Sequence, residues 1–342
     1  MAFPLLKLPS LAYEEVLSNF NVPDIIDFSL LSSRCHRIIR STRFPLTGIG
    51  ISVSFFSSDC LLFYNGGPRP FAVWRFMKKR WRKVSDTING WRRIGRTRIR
   101  IQKEPEWVSK LKPDTNMKVA FEYVRDLFRL PITQFDLLST DQNVFPQQYG
   151  ITKCDELLIC VRHEIPVDEL KYVLEKMEIS KTFSLSLQKN DNFEFDFVRF
   201  SMDVLKISRA FWITKETFLA MDCARITLQG NKKLPIKEFV SQWLSSRNTR
   251  FEWLKMHENR YWNDEEINWN DGLEPMKWNP AIRGRNFKIS HFQRVDCEKG
   301  IDFLRDDGLL ATVVKGNFNK IYFIVWHKRF QPEADSLDLD FW

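Results

Sequence analysis

The stretch Leu8-Pro9-Ser10-Leu11-Ala12-Tyr13-Glu14-Glu15-Val16-Leu17-Ser18-Asn19-Phe20, continuing Asn21-Val22-Pro23-Asp24-Ile25-Ile26-Asp27-Phe28-Ser29-Leu30-Leu31, decides how the chain begins. Ser10 follows a proline and can cap the free amides of a first turn, and Leu11 to Phe20 then runs without Gly or Pro, which predicts a helix. Tyr13, Val16, Leu17 and Phe20 lie three and four residues apart and share one face. Pro23 opens a second helix in which Ile25, Ile26, Phe28, Leu30 and Leu31 nearly surround the axis, as expected where a helix is covered on more than one side. A third helix, Ser33 to Arg40, turns Cys35, Ile38 and Ile39 inward and Arg34, Arg37 and Arg40 outward. A unit of ~40 residues buries too little of its own surface to hide so many apolar side chains. Part of it needs a partner, either the rest of the chain, which the helices would cap, or another protein.

The order of parts is that of a known module. Phe3-Pro4-Leu5-Leu6-Lys7-Leu8-Pro9, then Glu15-Val16-Leu17, then Asp24 to Ser32 resembles the F-box, with the leading Phe-Pro-Leu-Leu of the large nematode group of F-box proteins. Leu31, Ser32 and Ser33 depart from the more usual Val-Ser-Lys run. The resemblance implies a non-catalytic substrate-recognition subunit of an SCF-type cullin-RING E3 ubiquitin ligase. It implies docking on the ligase's Skp-type adaptor through Leu8, Pro9, Val16, Leu17, Phe20, Ile25, Ile26, Ser29 and Leu30, with an unknown protein substrate held by the C-terminal part.

Outward from this module, Met117 begins a rhythm of helix followed by short apolar strand. Helix patterns at Lys118 to Arg129, Val167 to Met177 and Ile236 to Ser245 alternate with strand patterns at Ile132 to Leu138, Leu157 to Val161, Phe183 to Leu187, Arg225 to Leu228 and Phe251 to Met256. Strand centres at Phe135, Ile159, Leu185, Ile226 and Trp253 are separated by 24, 26, 41 and 27 residues. Three of these intervals suit a leucine-rich repeat, and the long one, with Asp191 to Phe197 and Arg209 to Thr214, calls for an extra strand or an irregular repeat there. A closed α/β domain with a mixed sheet fits the same pattern. The end reads as β: Asp307-Gly308 marks a hairpin between Ile301 to Arg305 and Leu309 to Val314, and Asn317 to Lys320 turns into Ile321 to Trp326. This ending, with Leu234 to Met256, resembles the F-box-associated domain, type two, of the same nematode group. Residues 263–287 read as a long loop, and the acidic tail after Phe330 as frayed.

The predicted fold is therefore α+β or α/β. A three-helix module (1–44) and a basic, aromatic-rich connecting segment (45–115) precede an irregular leucine-rich-repeat-like α/β domain ending in an antiparallel β-meander (116–330) and an acidic tail (331–342). The net charge of +9 is local. Arg69 to Lys103 holds thirteen Lys or Arg, among them Lys78, Lys79, Arg80, Arg82, Lys83, Arg92 and Arg93, against one acid, Asp86. Trp74, Phe76, Trp81 and Trp91 are interleaved, the combination that stacks bases and neutralises phosphates in single-strand binders. The same residues suit a helix from Ala72 to Ile88 with a solvated charge stripe, an acidic protein partner, or a nuclear import signal at Lys78 to Lys83. Nucleic-acid binding is thus the alternative function.

No run of ~18 uncharged apolar residues or signal-peptide pattern appears, and Ile49 to Tyr64, the nearest candidate, alternates like a strand. Six dispersed cysteines and five histidines (36, 163, 257, 291, 327) show no ligand spacing, so neither metal nor cofactor is expected, and the cysteines suit the reducing cytosol or nucleus. No GxSxG, Walker, HExxH or Rossmann signature occurs, and Gly230-Asn231-Lys232-Lys233 lacks the glycines of a phosphate cradle.

Overall fold

The computed structural model describes residues 9–54, 58–77, 90–103, 107–110, 113–138, 144–188, 190, 192–258 and 267–340. The chain divides into two compact units, Met1–Glu178 and Ile179–Trp342.

The first unit opens with helices α1 (Ser10–Ser18), α2 (Val22–Leu30) and α3 (Ser33–Ser41). Pro9, without a side-chain cap, occupies the N-cap of α1, so Ser10 is the first helical residue and not the cap expected from the sequence. Asn21 caps α2 by accepting from the Asp24 amide at 2.8 Å, and Ser32 caps α3 by accepting from Cys35 at 3.1 Å. Strands β1 (Gly48–Ser54), β2 (Ser58–Tyr64), β3 (Ala72–Met77), β4 (Gly90–Ile94), β5 (Thr97–Lys103) and β6 (Trp107–Lys110) follow, then α4 (Pro113–Phe128), β7 (Ile132–Leu138), β8 (Lys153–Val161) and α5 (Val167–Lys176). Within the unit the strand order is β8-β7-β1-β2-β3-β6-β5-β4. The pairs β8/β7, β7/β1 and β3/β6 are parallel and the others antiparallel.

The described residues of 45–115 are therefore largely strand, β1 to β6. The helix expected over 72–88 is overturned at Ala72–Met77, which is a strand, while residues 78–89 lie outside the described residues. Trp74 and Phe76 are two residues apart and both buried, which strand alternation explains. Close approach of β1 to β7 requires Gly48, since a Cβ there would meet Thr133 Cγ2 at 2.1 Å. On α4, Met117, Ala120, Phe121, Val124 and Leu127 recur at helical spacing and are buried.

The second unit contains β9 (Glu178–Leu187), β10 (Val204–Ser208), α6 (Lys215–Leu219), β11 (Arg225–Asn231), α7 (Ile236–Ser245), β12 (Trp253–Glu258), β13 (Met276–Lys277), β14 (Asn286–Lys288), β15 (Gln293–Asp296), β16 (Ile301–Leu304), β17 (Leu310–Lys315), β18 (Lys320–Val325) and β19 (Asp338–Leu339). The main order is β9-β10-β11-β12-β18-β17-β16-β13, parallel from β9 to β12 and antiparallel beyond, with β14-β15-β19 as a second small sheet. The long predicted interval does hold a further strand, β10, but it lies between Asp191 to Phe197 and Arg209 to Thr214, the stretches expected to supply it. The three-stranded meander β16-β17-β18 is present, with Gly308 at φ +85° in its first turn.

Side chains alternate across this sheet. One face carries Phe183, Leu205, Ile226, Leu254 and Phe323, matched row by row in the strand register. Phe239 of α7 packs on Phe323, Phe251 and, in α6, Phe218, and Trp243 of α7 also packs on Phe323. The other face of β12, β18 and β17 contributes Trp253, Tyr322, Ile324, Val314 and Leu310 to a core closed by Phe287, Val295 and Cys297.

Two expectations fail here. The long loop contains β13 and leads directly into β14, and Arg283 within it is fully buried against Asp302, with Nε and Nη2 donating at 2.8–3.0 Å. The tail is not frayed: Pro332–Ser336 is a 3-10 helix, β19 pairs with β15, and buried Asp340 meets Lys255 Nζ at 2.6 Å. Among the described residues no helix is long and apolar enough to cross a membrane.

Asp136 on β7 is mostly buried, with the Gln134 amide donating to it at 2.5 Å and Gln134 in turn accepting from Tyr64. Burial, with Glu156 adding repulsion, pushes its carboxyl up to about 6 despite the Gln134 bond. The folded chain thus keeps this proton where the unfolded chain has released it. Stability from this group is complete below the ordinary aspartate range and is lost as pH rises through about 6. Asp136→Asn is expected to be more stable than the parent at pH 7 by roughly 1–2 kcal/mol and equal to it near pH 4. Urea unfolding across pH 4 to 8 checks this, and parallel curves for the two proteins would refute it.

Candidate docking site

Helices α2 and α3 pack against α4. Leu17, Ile25, Ile26 and Ser29 are buried within the unit, as are Val22, Cys35 and Ile39. Ser29 Oγ, 2% exposed, donates to the Ile26 carbonyl at 2.6 Å and meets Tyr123 Oη of α4 at 2.6 Å. Burial first, and nearby Asp126 second, raise the Tyr123 phenol above its ordinary value, against the lowering effect of the Ser29 bond. Arg40 of α3 reaches Asp126 at 3.0 Å, and His36 lies 3.6 Å from the same carboxylate with its ring against Tyr123. These contacts are what a helical cap on the following elements requires.

The opposite side is less covered. Pro9 is exposed, and Val16, Phe20 and Leu30 are half-buried, Phe20 packing edge-on against Phe28 at 6.4 Å. Leu8 and the preceding residues lie outside the described residues. The nine residues expected to dock thus divide, four inward and four wholly or partly outward, with Leu8 undescribed. Two others stand out: Leu11 and Leu31 are 79% and 74% exposed. Leu11 could have been found from its spacing, because it lies four and seven residues from Glu15 and Ser18, on the otherwise polar face of α1. An exposed leucine on such a face gains nothing from the fold of its own chain.

The basic segment is only partly described. Lys78, Lys79, Arg80, Arg82 and Lys83, with Trp81, lie outside the described residues. Arg92 and Arg93 fall on β4 of the β4–β5 hairpin, where exposed Arg93 donates to the Gly95 carbonyl at 3.0 Å. Trp74 and Phe76 are 1% and 2% exposed and stacked on each other, so neither ring is open to a base.

Residues 5–47 match the family model of the F-box domain. The chain carries an N-terminal F-box domain. Over 98% of its length it is 21% identical to the uncharacterized protein F59B2.8 of Caenorhabditis elegans, of which the alignment covers 80%. It is 24% identical to the uncharacterized protein F59B2.9 of the same nematode over 55% of this chain and 45% of that one. No solved structure matches it.

The F-box helices should come loose from α4 if the Ser29 to Tyr123 bond is broken from one side. Tyr123→Phe is expected to cost about 1–3 kcal/mol, because buried Ser29 loses a partner, while Ser29→Ala with Tyr123→Phe costs less than the sum of the two. Urea unfolding of the four proteins of this cycle gives the coupling, and strict additivity would show that the bond contributes nothing.

Proposed function

We propose that this chain is the substrate-recognition subunit of an SCF-type cullin-RING E3 ubiquitin ligase, in the cytosol or nucleus. The observation that carries the reading is the F-box match at residues 5–47 together with apolar side chains left open on that module. A Skp-type adaptor would cover Leu8, Pro9 and the outward parts of Val16, Phe20 and Leu30, with exposed Leu11 and Leu31 added to the contact. The inward set, Leu17, Ile25, Ile26 and Ser29, acts in docking by holding the helices in place. The subunit supplies position and leaves ubiquitin transfer to other subunits.

On the same reading the α/β part, 116–330 with the tail, holds the protein substrate. Phe183, Leu205, Ile226 and Leu254 stand opposite one another on parallel strands at intervals of 22, 21 and 28 residues. That supports a leucine-rich-repeat-like stack. The meander β16-β17-β18, closing on β12, supports the likeness of the end of the chain to the type-two F-box-associated domain.

The test is capture of the full chain by a purified Skp-type adaptor, with a thermal melt of each variant. Burying one aliphatic side chain contributes roughly 1.5–3 kcal/mol, and ~1.4 kcal/mol is a factor of ten in affinity. Leu8→Ala with Pro9→Ala is therefore expected to weaken binding about ten-fold or more at an unchanged melting temperature. Ile25→Ala, in the buried set, is expected to lower the melting temperature and so cannot by itself report on the adaptor. Failure of the parent to bind, or a destabilised Leu8/Pro9 variant that binds as well as the parent, would sink the assignment.

A further inference from the structure

The face of the β9 to β12 sheet opposite the aromatic core is polar. Its rows follow from the register: Thr182, Val204, Arg225 and Trp253; then Ser184, Lys206, Thr227, Lys255 and Tyr322; then Ser186, Ser208, Gln229, His257 and Lys320. Parallel strands are usually covered on both faces, and the exceptions are stacked-repeat folds, whose open face receives a partner. Here Lys206 and Arg225 are exposed and Ser184, Thr227 and Gln229 are half-buried. The β14–β15 hairpin rises beside this floor and closes a cleft of about 560 Å³. Lys206, Arg225, Thr227 and Lys255 form its floor, and Lys288 and His291 stand on its wall. Phe292, the next residue of the hairpin, is 78% exposed.

Charge on this face does not balance. Arg225 is held by Glu252 at 2.7 and 3.1 Å, and Lys255 by Asp340 at 2.6 Å. Among the described residues these two acids bond two of the five cations Lys206, Arg225, Lys255, Lys288 and Lys320, and Asp340 also acts on Lys320. Lys206 and Lys288 lie at the cleft itself. Lys320 is 3% exposed, and its Nζ has no hydrogen-bond partner among the described residues. It stands opposite His257, whose imidazole is pushed down by burial and then by Lys320 and Lys255. Lys206 and Lys288, open at the cleft, offer the positive side of a complementary interface.

We propose that this cleft binds an acidic segment of a partner protein, with carboxylate or phosphate groups on Lys206 and Lys288 and an apolar residue beside Phe292. The proposal deepens the reading of this half as the substrate holder. An extended segment suits the site because the floor is a row of strands and the anchors lie on neighbouring strands and on the hairpin.

The experiment measures binding of the full-length chain to four fluorescein-labelled probes. These are a decapeptide of alternating Glu and Ser, the same peptide with Gln for Glu, the same with phosphoserine for Ser, and a ten-residue oligothymidylate. The Glu or phosphoserine peptide is expected to bind, more weakly as salt rises, and the Gln peptide to bind at least about ten-fold more weakly. A preference between the two acidic peptides tells which anion the site takes. Lys206→Glu with Lys288→Glu is expected to weaken peptide binding about ten-fold or more, and Lys206→Gln with Lys288→Gln, which keeps size and removes charge, to weaken it in the same direction. Equal binding of the Gln peptide, or no change in the lysine variants, overturns the proposal. So does oligothymidylate binding as tight as the peptide's and lost with the same lysines, which would make the cleft a nucleic-acid site. Adaptor capture, measured on the same proteins, is expected to be untouched by the lysine changes. A parent that binds the peptide but not the adaptor refutes the ligase reading alone.

Discussion

Parallel pairing is the constraint from which the second unit follows. A parallel neighbour cannot be reached by a tight turn, so between β10 and β11 and between β11 and β12 the chain must cross over the sheet and return. α6 and α7 make those crossings, and their rings, Phe218, Phe239 and Trp243, join Phe251 and Phe323 on one face. Because every crossing so described packs on that face, the other is left to side chains that tolerate water. Strand alternation then sets serines, threonines and lysines opposite the aromatic core without any separate requirement for a binding surface. The open face is a consequence of topology before it is a site.

The antiparallel half of the same sheet solves the problem differently. Its second face is apolar and is covered by the β14-β15-β19 sheet, which is held by two buried ion pairs. Arg283 brings residues near β14 onto Asp302 of β16, with Thr312 Oγ1 donating to the same carboxylate at 2.6 Å, Trp326 Nε1 donating to Thr312, and the Trp326 ring facing the guanidinium at 5.0 Å. Asp340 brings the tail onto Lys255 and accepts from Tyr322 Oη at 2.8 Å. Buried pairs of this kind add little over an apolar contact of equal size, but losing one partner strands the other in a dry interior. They serve to specify where the small sheet sits, and with it the wall of the cleft.

What could be read from the sequence was local. The helix-and-strand rhythm after Met117 and the meander after Gly300 rest on periodicity and turn chemistry within short windows, and both are present. Ile132–Leu138 and Ile236–Ser245 have the expected limits. Ala72–Met77 was misread because Trp74-Arg75-Phe76 is too short to separate a period of two from one of 3.6, and the basic run beyond it favoured a charged helix. The tail was misread for another reason. Asp335, Asp338 and Asp340 look solvated by composition, and nothing local announces that Asp340 has a lysine 85 residues away. The buried Arg283 hid in a polar, Pro-containing stretch in the same way. The cleft was invisible for the same cause, since Lys206, Lys255 and Lys288 come together only through register and the hairpin.

The F-box shows how one set of apolar residues can satisfy two demands. Three short helices cannot bury both sides of themselves. Here α4 takes the inner side through Ser29, Tyr123 and the Asp126 pairs, so the module is joined to its unit by side chains as well as by the chain. Its inward residues are buried in that packing, however strongly the motif singles them out. A motif records every position that must be apolar, whether for the fold or for the partner, and only burial separates the two. By that criterion Ile25 and Ile26 belong to the scaffold. Leu11 and Leu31, for which the fold of this chain has no use, stand open to solvent.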